Sequence, residues 1–242
     1  MVMSKMVGAT VKRKEDPRLI TGSSTYVDDI PLPGCLHAVI ARSPYAHAVL
    51  NGVDTEAASQ APGVVVVITA EALPTYMKSA ELEGMGETSG EDDGEDESII
   101  VPPIPPLAKD KLRFVGEPVA VVVAETRAQA VDAAELIDFD VEILDPVVDV
   151  YAAMEDGSPL VHDDVKHNIG GRLGGPRGGD VDAAFAAAPI TIKERIRSQR
   201  LNAVPMEGRA VAATVDPITR GLVVWTSTQA PHWNRNGIAE AL

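Results

Sequence analysis

Cysteine is almost absent from this chain. A single one, Cys35, stands among 242 residues, which excludes an internal disulfide and any all-cysteine metal or iron–sulfur site built from this polypeptide alone. Such usage fits a reducing cytoplasm. Aromatic residues are also scarce, at 4% against 45% hydrophobic residues overall. A core must therefore be assembled from Val, Ala, Leu and Ile, which favours strands and small-residue helices. No stretch approaches the ~20 apolar residues needed to span a bilayer. The opening MVMSKMVGATVKRKEDPR lacks the apolar segment of a secretory signal, so a cytoplasmic protein without membrane insertion is expected.

Basic residues are outnumbered. The 21 Lys and Arg face 36 Asp and Glu, for a formal net charge of −15, and long-range repulsion argues against a nucleic-acid backbone or an anionic membrane as partner. The charge is uneven, since residues 81–97 hold nine acids and no base. This run is rich in Gly and Ser and leads to Pro102-Pro103-Ile104-Pro105-Pro106. It has too little apolar content to offset ordering entropy, and a mobile, solvated insertion is expected over 79–106.

What remains is patterned. Residues 1–18 are polar and basic and read as an extended arm. CLHAVIA at 35–41 and the run from Ala46 to Val53 read as two strands with an irregular joint at Ser43-Pro44. A helix with an acidic first turn starts at Asp54-Thr55-Glu56 and ends at Pro62-Gly63. The consecutive β-branched residues of Val64–Thr69 predict a strand covered on both faces, inside a sheet. Val119–Ala124 reads as a buried strand, Thr126–Ile137 as a helix capped by Thr126, and Phe139–Leu144 as a further strand. Together, 19–148 is expected to be one α/β (α+β) domain with a mixed sheet.

Six glycines fall between Gly170 and Gly179, with spacing that matches neither dinucleotide-binding nor P-loop patterns. They read as part of a flexible crossing over 149–179, with close backbone approach to a cofactor or partner chain as the other option. Beyond it, Asp180–Ala188 predicts a short helix and Ile190–Arg200 a strand with outward charges. Ala210–Val215 and Leu222–Thr228 suggest a hairpin across Asp216–Gly221, and Pro231–Leu242 a helix. A helix that follows a strand pair with nothing yet packed over it suggests that 180–242 begins a larger domain.

Motifs for self-contained chemistry are few. There is no H-E-x-x-H, no G-x-S-x-G and no clustered Cys and His, and His37, His47, His162, His167 and His232 are scattered. No metal ligand is expected from this chain. The informative block is Trp225-Thr226-Ser227-Thr228-Gln229-Ala230-Pro231-His232, where a strand ends in hydroxyls and an amide before a proline-started helix. An uncharged amide donor there can hydrogen-bond oxo or phosphate oxygens without adding an ionisable group. The plain alternative is an ordinary N-cap with Gln229 in solvent. Met206-Glu207-Gly208-Arg209 is a second candidate, either a contact to a cofactor or an ordinary ion pair.

Several ordered blocks resemble one family. The run Lys12 to Gly22 followed by Tyr26-Val27-Asp28-Asp29-Ile30 is similar to the opening of molybdenum hydroxylase large subunits, the xanthine dehydrogenase / aldehyde oxidase / carbon monoxide dehydrogenase group, and resembles especially its carbon monoxide dehydrogenase-like branch. Arg42-Ser43-Pro44-Tyr45-Ala46-His47-Ala48, Ala61-Pro62-Gly63-Val64, Arg113 to Ala120, Pro205-Met206-Glu207 with Arg209, and Ser227-Thr228-Gln229 with His232 follow in the same order. The resemblance implies a hammerhead α/β domain over 19–148 and then, from 180, the beginning of a molybdopterin-binding domain. It also implies that Gln229 sits beside the molybdenum centre and hydrogen-bonds an oxygen ligand, with Thr228, Glu207 and Arg209 as further cofactor contacts. Proline usually stands in the family where this chain has Gly208.

The resemblance further implies oxidation or hydroxylation of carbon monoxide, an aldehyde or an N-heterocycle. The implied cofactor is molybdopterin, in its cytosine dinucleotide form, shared with a C-terminal molybdopterin-binding chain or segment. Electrons would leave through a [2Fe–2S] small subunit to an FAD-binding medium subunit. The family's catalytic glutamate, its substrate loop and most of its pterin-binding glycine motifs lie in later segments that have no counterpart here. The competing reading is a non-catalytic hammerhead assembly module, or a truncated fragment, without a metal site.

Overall fold

The structure is a computed structural model that describes residues 8, 10–73, 102, 105–170 and 179–242. Most of the acidic insertion expected at 79–106, and the glycine-rich stretch 171–178, lie outside the described residues. The chain divides into two compact units that are not consecutive in sequence. One joins the residues up to Gly34 with Ile196–Pro231, and the other joins Cys35–Arg195 with His232–Leu242.

The larger unit is built on six strands: β1 (His37–Arg42), β2 (Ala48–Asp54), β3 (Val64–Thr69), β4 (Lys111–Leu112), β5 (Pro118–Ala124) and β6 (Asp138–Ile143). They form two three-stranded sheets, in the orders β1-β5-β3 and β4-β2-β6. Every pairing is antiparallel, where the alternation of strands and helices had suggested a mixed sheet. The reason lies in the connections. The helices α2 (Glu56–Ser59) and α3 (Arg127–Ala134) each follow a strand of one sheet and precede a strand of the other. Neither crossover therefore returns to its own sheet to make a parallel pair.

The scarcity of aromatics shapes the core. Eight of the fifteen buried apolar residues among those described are alanines, so backbones approach closely and there is little side-chain bulk to rearrange. One cluster gathers Ala120, Val122 and Ala124 of β5 with Ala130 and Ala133 of α3, Ala41, Ala58 and Ile137. A second holds Ala48, Leu50, Ala108, Leu112 and Val119, and Val53 and Phe139 pack against both. Thr126 caps α3 as expected, its hydroxyl accepting the Gln129 N–H at 3.3 Å.

β3 is not interior. It pairs with β5 alone, at the sheet edge, and leaves Val65 and Val66 exposed at 55% and 43%. A run of β-branched residues marks a strand, but its place in the sheet is decided by pairing, and β5 takes the centre. Gly63, just before β3, has φ +77°, and a Cβ there would run into the Gln129 side chain. Gly63→Ala is expected to cost about 1–2 kcal/mol for the left-handed backbone plus the cost of displacing Gln129. Urea denaturation checks this: a Gln129→Ala background should relieve only the second part.

The stretch 149–179, expected as a crossing, is anchored as far as it is described. Asn168 accepts the Val161 N–H at 2.9 Å and donates to Ala153 O and Pro159 O at 2.9 and 3.0 Å. Lys111 reaches Leu160 O and the Asp163 carboxylate, both at 2.9 Å, and the Arg195 guanidinium lies 4.7 Å from the centre of the Tyr151 ring. Next, α4 (Val181–Ala187) starts on Asp180, whose carboxylate accepts the Ala183 N–H at 2.9 Å. The strand expected over Ile190–Arg200 is absent. These residues belong to no helix or strand, and Ile190, Ile192 and Ile196 are exposed at 79%, 79% and 92%. Alternation of apolar residues gives a strand only where a neighbour supplies the ladder, and no described strand does so.

In the smaller unit the arm is not extended throughout. It ends in the one-turn helix α1 (Asp16–Ile20), with Pro17 in its first turn and the Thr21 hydroxyl donating to Pro17 O at 2.7 Å. Proline supplies a pre-set φ that the polar composition did not suggest. The strands β7 (Val211–Val215) and β8 (Leu222–Thr226) form the expected antiparallel hairpin, and the turn Val27–Asp29 packs against β7. The final helix, α5 (Pro231–Ala241), belongs to the larger unit from His232 on.

Candidate functional site

The β7–β8 hairpin carries the candidate residues. Its turn is set by Asp216, whose carboxylate accepts the Ile218 and Thr219 N–H groups at 2.8 and 2.7 Å. Those backbone donors, Thr219 first, hold the Asp216 carboxyl below its ordinary range. Arg220, at φ 59°, completes the reversal, and the register pairs Val215 with Leu222 through to Val211 with Thr226.

The pairing continues one step beyond the strands. Ser227 N donates to Ala210 O at 3.1 Å, and Ala210 N donates back to the Ser227 hydroxyl at 3.0 Å. The same hydroxyl lies 3.2 Å from Gly208 O. The two sequence blocks singled out as candidates, 206–209 and 227–229, are thereby joined. Thr228 turns the chain, its hydroxyl accepting the Ala230 N–H at 3.0 Å, and α5 begins at Pro231. Gln229 thus occupies the corner between a strand and a helix, as the sequence suggested.

Glu207, Arg209, Thr228 and Gln229 are all exposed. Among the described residues Glu207 and Arg209 form no ion pair, with each other or with another side chain, so the ordinary ion-pair reading of 206–209 fails. A pair this exposed would gain little from Coulomb attraction in water. The Gln229 amide has no hydrogen-bond partner among the described residues, and Thr228 uses its hydroxyl within the turn. A Cβ at Gly208 would meet nothing within 4 Å, so crowding does not require glycine there. Ser227 belonged to a recognised block, but its bonding across the hairpin could be read only once the register was known.

Two of the other blocks, 42–48 and 113–120, meet in the larger unit. Ser43 N donates to Glu117 O at 2.9 Å, Gly116 N to Ser43 O at 2.8 Å, and the Arg42 guanidinium to Gly116 O at 2.8 Å. Ser43, His47 and Glu117 are buried, and His47 Nδ1 lies 2.8 Å from Asp145 O. Beside them, the Lys111 ammonium holds the Asp163 carboxyl below its ordinary range. Burial, then Arg113 and Lys111, push His162 below its ordinary value. His232 is exposed in the first turn of α5.

Among the described residues no group of three or more His, Cys, Asp or Glu is arranged to hold a metal ion, and no helix is long and apolar enough to cross a membrane. The donors at the corner suit a different kind of group. An amide and a guanidinium offer N–H to oxygens, and neither ligates a metal well. Their chemistry fits the oxygens of an oxygen-rich group.

The chain belongs to the family described as aldehyde oxidase and xanthine dehydrogenase, a/b hammerhead domain, which residues 21–145 match, and residues 161–242 match the molybdopterin cofactor-binding domain. It is 38% identical over 232 residues to the nicotine 6-hydroxylase large subunit of Paenarthrobacter nicotinovorans, covering 96% of this chain and 27% of that one. It is 35% identical over 238 residues to the carbon monoxide dehydrogenase large chain of Afipia carboxidovorans, covering 93% and 28%. The crystal structure of quinoline 2-oxidoreductase from Pseudomonas putida 86 superposes with a TM-score of 0.76 at 32% identity, over 96% of this chain and 28% of that one. The chain therefore spans about a quarter of the length of these relatives.

Proposed function

We propose that this chain is the N-terminal part of the molybdenum-cofactor-binding large subunit of a cytoplasmic, multi-subunit hydroxylase or dehydrogenase, in which Gln229 hydrogen-bonds an oxygen at the molybdenum centre. The observation that carries this reading is the Gln229 amide. It is exposed, without a partner among the described residues, and lies inside the molybdopterin cofactor-binding match.

The organisation that goes with this reading is an arm over 1–18, a hammerhead domain over 19–148, a connection over 149–179 and the start of the molybdopterin-binding domain over 180–242. Gln229 would hold the cofactor through its Nε2 donor, and being uncharged it would leave the proton inventory of the site unaltered. Arg209 would approach the anionic part of a cytosine dinucleotide form of the cofactor, Thr228 would fix the turn, and Glu207 would accept from a cofactor N–H or hydroxyl. When bound, the group supplies two-electron oxidation of a carbon centre.

The catalytic base and substrate loop belong to the remaining molybdopterin-binding chain or segment, and electrons pass to [2Fe–2S] and FAD subunits. Of carbon monoxide, aldehydes and N-heterocycles, the last is the working substrate class, since nicotine and quinoline, for which two relatives are named, are both N-heterocycles.

Purification of the native assembly from its source tests the reading. Molybdenum, iron and flavin are expected to copurify with this chain in fixed proportion. A metal-free chain purified without partner subunits would instead make it an assembly module.

A further inference from the structure

We infer that Ser227 is the positioning residue of this corner: its side-chain hydroxyl ties the Glu207–Arg209 block to the Gln229 turn and so fixes where the Gln229 amide stands. This rests on the reading of Gln229 given above. The last regular pair of the hairpin is Val211 with Thr226. Beyond it the two chains are free to splay, because a two-stranded ribbon has no third strand to hold its end.

Ser227 prevents this in three ways. Its N–H donates to Ala210 O at 3.1 Å, its Oγ accepts the Ala210 N–H at 3.0 Å, and its O–H has Gly208 O within 3.2 Å. The alternative acceptor for that proton, Ala210 O, is more distant at 3.5 Å. The hydroxyl thus acts as donor and acceptor at once, which only a hydroxyl side chain of this length can do here. It spans both residues that flank Arg209.

The consequence reaches Gln229 through a short, constrained path. Ser227 is half-buried and clamped, Thr228 is held by its own bond to Ala230 N at 3.0 Å, and Pro231 has a fixed φ. Gln229 sits between these restraints with its side chain free. A preorganised donor is effective because no reorganisation is left for the moment of reaction. Loosening the clamp would restore that reorganisation without removing the donor.

The test uses Ser227→Ala, Ser227→Thr, Gln229→Ala and the double variant Ser227→Ala with Gln229→Ala, each in the assembled complex. The readouts are kcat, KM and the hydrogen-exchange rate of the Ala210 amide. Ser227→Ala is expected to speed Ala210 exchange and to lower kcat, each by about tenfold, the equivalent of one neutral hydrogen bond. KM should stay within about twofold, because substrate binding is not touched. Ser227→Thr keeps the hydroxyl and should restore both exchange and kcat. On the Gln229→Ala background, removing the Ser227 hydroxyl should cost nothing further in kcat, the mark of two residues acting through one interaction.

Additive losses would overturn the positioning role, as would faster Ala210 exchange with kcat unchanged in the single Ser227→Ala variant. Unchanged kcat in Gln229→Ala would instead overturn the underlying reading of Gln229. The two failures are therefore distinguishable.

Discussion

In the assembled complex, Gln229→Ala is expected to lower kcat by roughly a hundredfold, the effect of removing one preorganised donor from a developing negative charge, while thermal stability barely moves. The contrast follows from the surroundings of the side chain. Gln229 is exposed and bonds to no described residue, so its truncation falls among surface changes, within about 0.5 kcal/mol of wild type. Nothing in the described fold requires an amide there. Gln229→Glu sharpens the test, because it keeps the shape and replaces the N–H donor by a carboxylate that repels an oxyanion. It should be at least as slow as the alanine variant. Parallel measurement of kcat and melting temperature separates the outcomes: a large stability loss would recast Gln229 as a structural residue, and an unaltered kcat would remove it from the site.

Features set by local chemistry were legible in the sequence. The Thr126 cap, the Asp216 turn, the β7–β8 hairpin and the Pro231 start of α5 each depend on residues a few positions apart, and each stands where it was expected. Features set by pairing were not. β3 has the composition of an interior strand and lies at an edge because β5 lies between it and β1. Ile190–Arg200 has strand periodicity but forms no ladder with any described strand. The Arg42 bond to Gly116 O joins residues 74 positions apart, which no local pattern encodes.

The site divides in the same way. The Gln229 corner could be read from a strand, an amide and a proline in succession, whereas the Ser227 clamp depends on which residues of 206–210 face it across the hairpin. The arm's one-turn helix at Asp16–Ile20 was hidden by its polar composition, since a helix that short has no apolar period to detect.

Leu112→Ala is expected to cost about 4–5 kcal/mol, the upper end of what truncating a buried leucine does. Leu112 is fully buried and is among the largest fully buried side chains of the described residues. Its neighbours in the cluster include Ala48 and Ala108, which have no rotamers with which to close a void. The cavity would therefore persist, and its lining would lose dispersion contacts outright. Leu112 also lies on the two-residue strand β4, where its pairing with Ala48 leaves little ladder to compensate. Lys111 and Arg113 flank it, and Lys111 reaches Leu160 and Asp163, so a loosened β4 would release the segment after residue 149 as well. Urea titration should show a lower midpoint, and proteolysis should cut faster near 150–165 than in wild type. Val65→Ala, at an edge position 55% exposed, provides the control and should shift stability by no more than about 0.5 kcal/mol. Equal losses at the two positions would contradict a core organised around Leu112, because the exposed valine has no comparable void to leave behind.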